Sequence, residues 1–223
     1  MKRFWKTIIL SMLLALTLCV GAQATENTML KVGLKYGTNA LFTARLQNYN
    51  DTLSGSGYEF GYYDADRSFV PLAATDEQRI TVTVDSNAYV SGGVCYETRP
   101  TNYSTILGAY HIELLTAFGS YEEALAVAQS YPKGFVAYID GAYRVRVGNH
   151  ASYDESARVL SETDVLAYGA QIVTPSSTGV VVSVTDTDTV LFEFDCSGLR
   201  SLGVRPRSVS GEKTVTWFSG YRY

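Results

Sequence analysis

"GSYEEALAVAQSY" (Gly119–Tyr131) and "ASYDESARVLSE" (Ala151–Glu162) write one helix start twice. In each, a serine (Ser120 or Ser152) precedes an acidic, alanine-containing run, and a glutamate (Glu123 or Glu155) stands three residues later. This is a capping box: the serine oxygen accepts the third helical N–H, and the glutamate side chain reaches back to the N–H of the cap. In the first segment Ala124, Val127, Ala128 and Tyr131 recur at the spacing of an apolar stripe laid on a sheet. Pro132 and Gly134 stop that helix, and the second is expected to end near Gly169.

Strand-like text surrounds both helices. "YHIELL" (Tyr110–Leu115) leads into the first, "FVAYIDGAYRVRVG" (Phe135–Gly148) supplies two strands joined by the tight-turn pair Asp140-Gly141, and "AQIVT" (Ala170–Thr174) follows the second. The order β-α-β-β-α-β is that of a split βαβ unit, in which two half-units share one four-stranded sheet. The expected fold class is α+β: a ferredoxin-like βαββαβ module flanked by, or inserted in, β-rich segments.

Those flanks read as strands throughout. Before the module come "LKVGLKY", "YEFGYYD", "SFVPL", "RITVTVD" and "AYVSGGVCYE"; after it come "VVVSV" and "VLFEF" around the turn "TDTDT", then "TWFSGYRY". Ile80, Val82 and Val84 alternate with Thr81 and Thr83, the period of a half-buried strand. "QNYNDTLSGSG" (Gln47–Gly57) is a polar loop. The expected organisation is a signal segment over 1–24, a β-rich segment over 25–107, the βαββαβ module over 108–175, and a second β-rich segment over 176–223.

The signal segment is read from Lys2, Arg3 and Lys6 ahead of the apolar run Ile8–Val20, with Ala22-Gln23-Ala24 as the cleavage site. The run is shorter than the roughly 20 residues a membrane helix needs, so an exported, extracytoplasmic protein with no span after cleavage is expected. Removing those three basic residues leaves fifteen Lys/Arg against twenty-two Asp/Glu, a net charge of about −7. That acidity argues against nucleic acid as a partner. Seventeen tyrosines against three methionines suit a wet, β-rich protein whose rings tolerate half-exposed positions, and they suit sugar binding as well. Cys95 and Cys196 are either a disulfide pair tying distant parts of the chain or two free thiols.

The segment from Tyr110 to about Thr174 resembles the sporulation-related repeat (SPOR) domain. The resemblance rests on "YHIEL", on the run Phe118 to Ala124 ("FGSYEEA"), and on "YRVRVGN" followed by "SYDESA" at Ser152–Ala157. It implies an extracytoplasmic module that binds the glycan strands of peptidoglycan. "LKVGLKYG" and the final strands are more faintly similar to the stage II sporulation protein D family of lytic enzymes, whose catalytic acid lies further downstream. On that likeness the chain is a non-catalytic front portion of such an enzyme. An alternative reading makes the β-rich parts a structural or adhesion surface with no glycan binding.

Strand period places the candidate contacts. With Val145 and Val147 turned toward the helices, Arg144 and Arg146 face the other way; with Ile112 and Leu114 inward, His111 and Glu113 face out. His111, Glu113, Arg144 and Arg146, with Tyr138 nearby, form the expected glycan-binding patch on an open polar sheet face. His111 and His150 are the only histidines, and neither an i, i+4 pair nor a C-x-x-C spacing accompanies them, so no metal and no cofactor are expected. Glu193 and Asp195 share one side of "VLFEF", and neighbours on one strand do not converge across a cleft as glycan-cleaving carboxylates do. No catalytic residues are expected in this chain.

Overall fold

The computed structural model describes residues 40–48, 56–163, 168–207 and the short strand 216–218. The expected signal segment, "LKVGLKY" and most of the polar loop after Gln47 lie outside those residues. In chain order the elements are β1 (Thr43–Gln47), β2 (Tyr58–Tyr63), β3 (Phe69–Thr75), β4 (Arg79–Val84), β5 (Ala88–Ser91), β6 (Val94–Tyr96) and β7 (Thr105–Leu107). The next stretch holds β8 (Tyr110–Leu114), α1 (Tyr121–Ala128), β9 (Gly134–Ile139), β10 (Ala142–His150), α2 (Tyr153–Glu162) and β11 (Ala170–Val173). β12 (Val180–Val184), β13 (Val190–Asp195), β14 (Leu202–Pro206) and β15 (Thr216–Phe218) complete the set.

Both helices begin as the serines dictate. Ser120 Oγ accepts the Glu123 N–H at 3.2 Å, and Ser152 Oγ accepts the Glu155 N–H at 3.3 Å. The glutamates reach one residue further back than expected, accepting from the Gly119 and Ala151 N–H groups at 3.1 and 3.0 Å. The turns follow local chemistry too. Gly92 and Gly93 both take positive φ, as do Asp140 and Gly141, so the β5–β6 and β9–β10 hairpins use the tight turn whose twist suits two adjacent strands.

The α+β fold class is overturned. Strand accounts for 48% of the described residues and helix for 11%, and the principal layer is one mixed sheet of eight strands in the order β1-β4-β12-β13-β9-β10-β8-β11. The strands of the segment read as a module occupy one half of it, as neighbours β9-β10-β8-β11, all antiparallel. They do not end in a free edge at β9. Instead β13 pairs with β9 in parallel, Phe192 opposite Val136 and Asp195 opposite Ile139, and carries the sheet on into β12, β4 and β1. The flanks and the βαββαβ segment therefore share one layer. The physical reason lies in strand chemistry: β12 reads Val-Val-Val-Ser-Val, apolar on both faces, and β13 puts Phe192 and Phe194 into the core while its Glu193 finds a buried counter-charge in Arg146, so both strands belong in the middle of a covered sheet.

Both faces of the large sheet are covered. On one, α1 packs over β9 and β10, and the four-stranded sheet β15-β14-β2-β3 packs beside it. Phe60 stacks on Phe192 at 5.7 Å, the Tyr143 hydroxyl donates to the Leu72 carbonyl at 2.9 Å, and Ala124, Val136, Val145, Val182 and Phe194 join one buried core. On the other face the three-stranded sheet β6-β5-β7 sits against the strands, with Ala88 and Leu107 packed on Val181. Among the described residues no helix is long and apolar enough to cross a membrane.

Candidate functional site

Alternation along β8 and β10 turns His111, Glu113 and Arg146 to the face away from the helix core, and the pairing sets Arg146 opposite Glu113. That face is not open. His111 is 1% exposed, Glu113 6% and Arg146 7%, and Asp85 from the exit of β4 lies against His111 and Glu193. The open polar patch expected from the sequence is therefore a covered, charged cluster.

Its centre is Arg146. Its Nε donates to Glu113 Oε2 at 2.9 Å and its Nη2 lies 2.8 Å from the same oxygen, while Nη1 donates to Glu193 Oε1. Gln171 Nε2 donates to the second oxygen of Glu113 at 3.2 Å. Two carboxylates hold the guanidinium charged in spite of burial, which on its own would favour the neutral form. Glu193 arrives from β13 and is fully buried.

His111 completes the inner side of the cluster. A bulge in β10 between Val147 and His150 takes Gly148 out of the ladder with β8, and the Gly148 carbonyl turns to the imidazole. A carbonyl only accepts, so His111 Nδ1 carries the proton of this 2.7 Å bond and Nε2 presents a lone pair. Burial pushes the imidazole down from its ordinary value, against the pull of Glu193, so the ring is neutral. Phe135 packs edge-on to it at 5.1 Å. Nε2 looks toward Glu193 Oε2 at 3.8 Å.

Asp85, at the exit of β4, is the third acid. Its backbone N–H donates to the Gly179 carbonyl at 3.0 Å, and its Oδ2 accepts the Ser176 N–H at 2.7 Å. Gly179 is needed there, since a Cβ at that position would lie 2.9 Å from Asp85 Cβ. Burial, with the Glu193 charge beside it, pushes the Asp85 carboxyl up to about 8. Asp195 stands nearby but is satisfied by the Ser176 and Thr178 hydroxyls and the Ser197 N–H.

The remaining residues of the expected patch lie elsewhere. Tyr138 pairs across the hairpin with Tyr143, so it shares that residue's face and sits in the aromatic core, 5.1 Å from Tyr143 and stacked on Phe194 at 6.1 Å. Burial, with Tyr62 beside it, raises its phenol to about 12. Arg144 is half-exposed and donates to the Leu115 carbonyl at 3.2 Å. Cys95 and Cys196 are free thiols in the structure, one on β6 of the small sheet and the other in the main core.

A second constellation, not anticipated from the sequence, lies on the outer face of the small sheet. Tyr89 is opposite Tyr96 in the β5–β6 pair, and Tyr103 stands edge-on to Tyr89 at 5.3 Å. The Arg99 guanidinium lies over the Tyr103 ring, 5.2 Å from its centre. Tyr96 and Tyr103 are 42% and 36% exposed, and Val94 beside them is 49% exposed. Inward-facing Cys95 between Val94 and Tyr96 is the sequence signal that could have found this face, since a period of two sends both neighbours outward. No protein-family model matches the chain, and neither curated proteins nor solved structures show a significant match to it.

Proposed function

We propose that this chain is a non-catalytic, extracytoplasmic binding protein for the glycan strands of peptidoglycan, and that it contacts them through the outer face of the small sheet. The observation that carries this reading is the pair of exposed rings Tyr96 and Tyr103, with half-buried Tyr89 between them and Arg99 over Tyr103, on the outer side of the small sheet. Amphipathic rings at a wet surface offer flat apolar area to the C–H face of a pyranose, while the phenol hydroxyls and the guanidinium supply donors for ring substituents. An acidic protein with this face has little attraction for a polyanion, but none is required for a sugar. Burial of Glu193 in an ion pair with Arg146 supports the non-catalytic part, because a glycan-cleaving acid must meet its substrate.

The test is retention of the mature chain on purified sacculi, before and after an amidase strips the stem peptides. Retention is expected in both cases, and Tyr96→Ala with Tyr103→Ala should lower it at least about tenfold, the loss of roughly 1.4 kcal/mol or more of ring contact. Equal retention of the double variant would reject this face. Exposed Val94 beside Tyr96 favours an adhesion surface as the second reading; no retention of the parent chain on sacculi, together with concentration-dependent self-association abolished in the same variant, would establish it instead.

A further inference from the structure

Three buried atoms in the charged cluster have no hydrogen-bond partner: Asp85 Oδ1, His111 Nε2 and Glu193 Oε2. They belong to residues 4%, 1% and 0% exposed, and their ligand atoms lie within 4.8 Å of one another. With the Asp85 carboxyl ionised, as a cation would hold it, all three are acceptors. His111 Nε2 is a lone pair because Nδ1 donates to Gly148, and the free carboxylate oxygens are aimed at it and at each other. Converging ionised acceptors repel, which next to burial is the Glu193 effect that raises the Asp85 carboxyl, and burying an unpaired polar atom costs free energy as well. Something positively charged or donating belongs at their focus.

We propose that Asp85, His111 and Glu193 bind one divalent transition cation of the zinc class, which ties the β4 exit, β8 and β13 together. Charge balance points the same way. With all groups ionised, Asp85, Glu113 and Glu193 carry three negative charges against the one positive charge of Arg146, and a divalent ion offsets the remainder. One imidazole nitrogen with two carboxylate oxygens is a mixed donor set that suits zinc and its first-row neighbours better than the all-oxygen shells of calcium or magnesium. The surroundings are those of a ligand set held in place. Gly148 fixes the imidazole tautomer, Arg146 orients the Glu193 carboxylate through its other oxygen, and the Ser176 N–H does the same for Asp85. Ligand atoms at ~2.1 Å from zinc stand about 3.5 Å apart, so the present spacing closes by small rotations of the two carboxylates.

The full chain, stripped with a chelator and titrated with zinc chloride, should take up one equivalent and melt about 5–10 °C higher at a hundredfold excess over Kd. The ¹⁵N resonance of His111 Nε2 should move on zinc addition while that of His150 stays, and cobalt chloride should give visible ligand-field absorption. Asp85→Asn, which keeps the side-chain shape and the Ser176 contact, should weaken zinc at least tenfold. Absence of uptake by the parent chain, an unmoved His111 Nε2, or a perturbed His150 in its place would each overturn the proposal, and none of these readings depends on a variant folding.

Discussion

Arg146 is the residue on which the covered face turns, and its removal is the sharpest test of that arrangement. Arg146→Met fills similar volume but leaves Glu113 and Glu193 facing each other without a counter-charge, and breaking a buried pair from one side costs about 3–5 kcal/mol. Urea denaturation should show that loss for the single variant. Adding Glu193→Gln should restore part of it, because the second change removes one stranded charge. The residue scale is also where the sequence was most legible. A period of two placed His111, Glu113 and Arg146 on one face and the apolar residues on the other, and the structure has them so. Tyr138 was misplaced although the information was present: a two-residue turn at Asp140-Gly141 pairs Ile139 with Ala142 and Tyr138 with Tyr143, which denies Tyr138 the side of Arg144. Asp85 and Glu193 were out of reach, because they meet His111 only through pairings between strands far apart in the chain, and no local spacing records those.

The two helices show local signals prevailing at the scale of the element. Each is short, α1 with eight residues and α2 with ten, and helices of that length are marginal without a cap and a surface to lie on. Ser120→Ala and Ser152→Ala should each cost about 1 kcal/mol in chemical denaturation. The two losses should add, since the caps have no partner in common. A double variant no less stable than either single one would show that the caps are redundant with packing. The elements themselves were legible from capping boxes, turn dipeptides and alternation. The β5–β6 hairpin was not, because Gly92-Gly93 was read within one continuous strand, whereas positive φ at both glycines reverses the chain there.

For the whole molecule the sequence misled in an instructive way. The βαββαβ order over Tyr110–Val173 suggested a unit complete in itself, and nothing local announces that β9 has a partner on its far side. A segment comprising residues 108–175 alone would lack β13 along β9, and with it Glu193 beside Arg146, and Asp85 beside His111. It should give a broad, non-cooperative melt and bind a hydrophobic dye, whereas the full chain melts cooperatively; sharp melting and a well-dispersed NMR spectrum from the excised segment would refute this. The parallel seam between β9 and β13 has one more consequence. β4 is hydrogen-bonded to β12 and β9 to β13, Val82 opposite Val182 and Val136 opposite Phe192, neighbours 100 and 56 residues apart in the chain, so the contacts at the middle of the layer have high contact order and closing them is slow. A nascent chain that has emerged only as far as residue 175 holds Ile80, Val82, Val136 and Phe135 on strands that each lack one mate, β12 beside β4 and β13 beside β9, and it is exposed to misassociation until the next twenty residues follow.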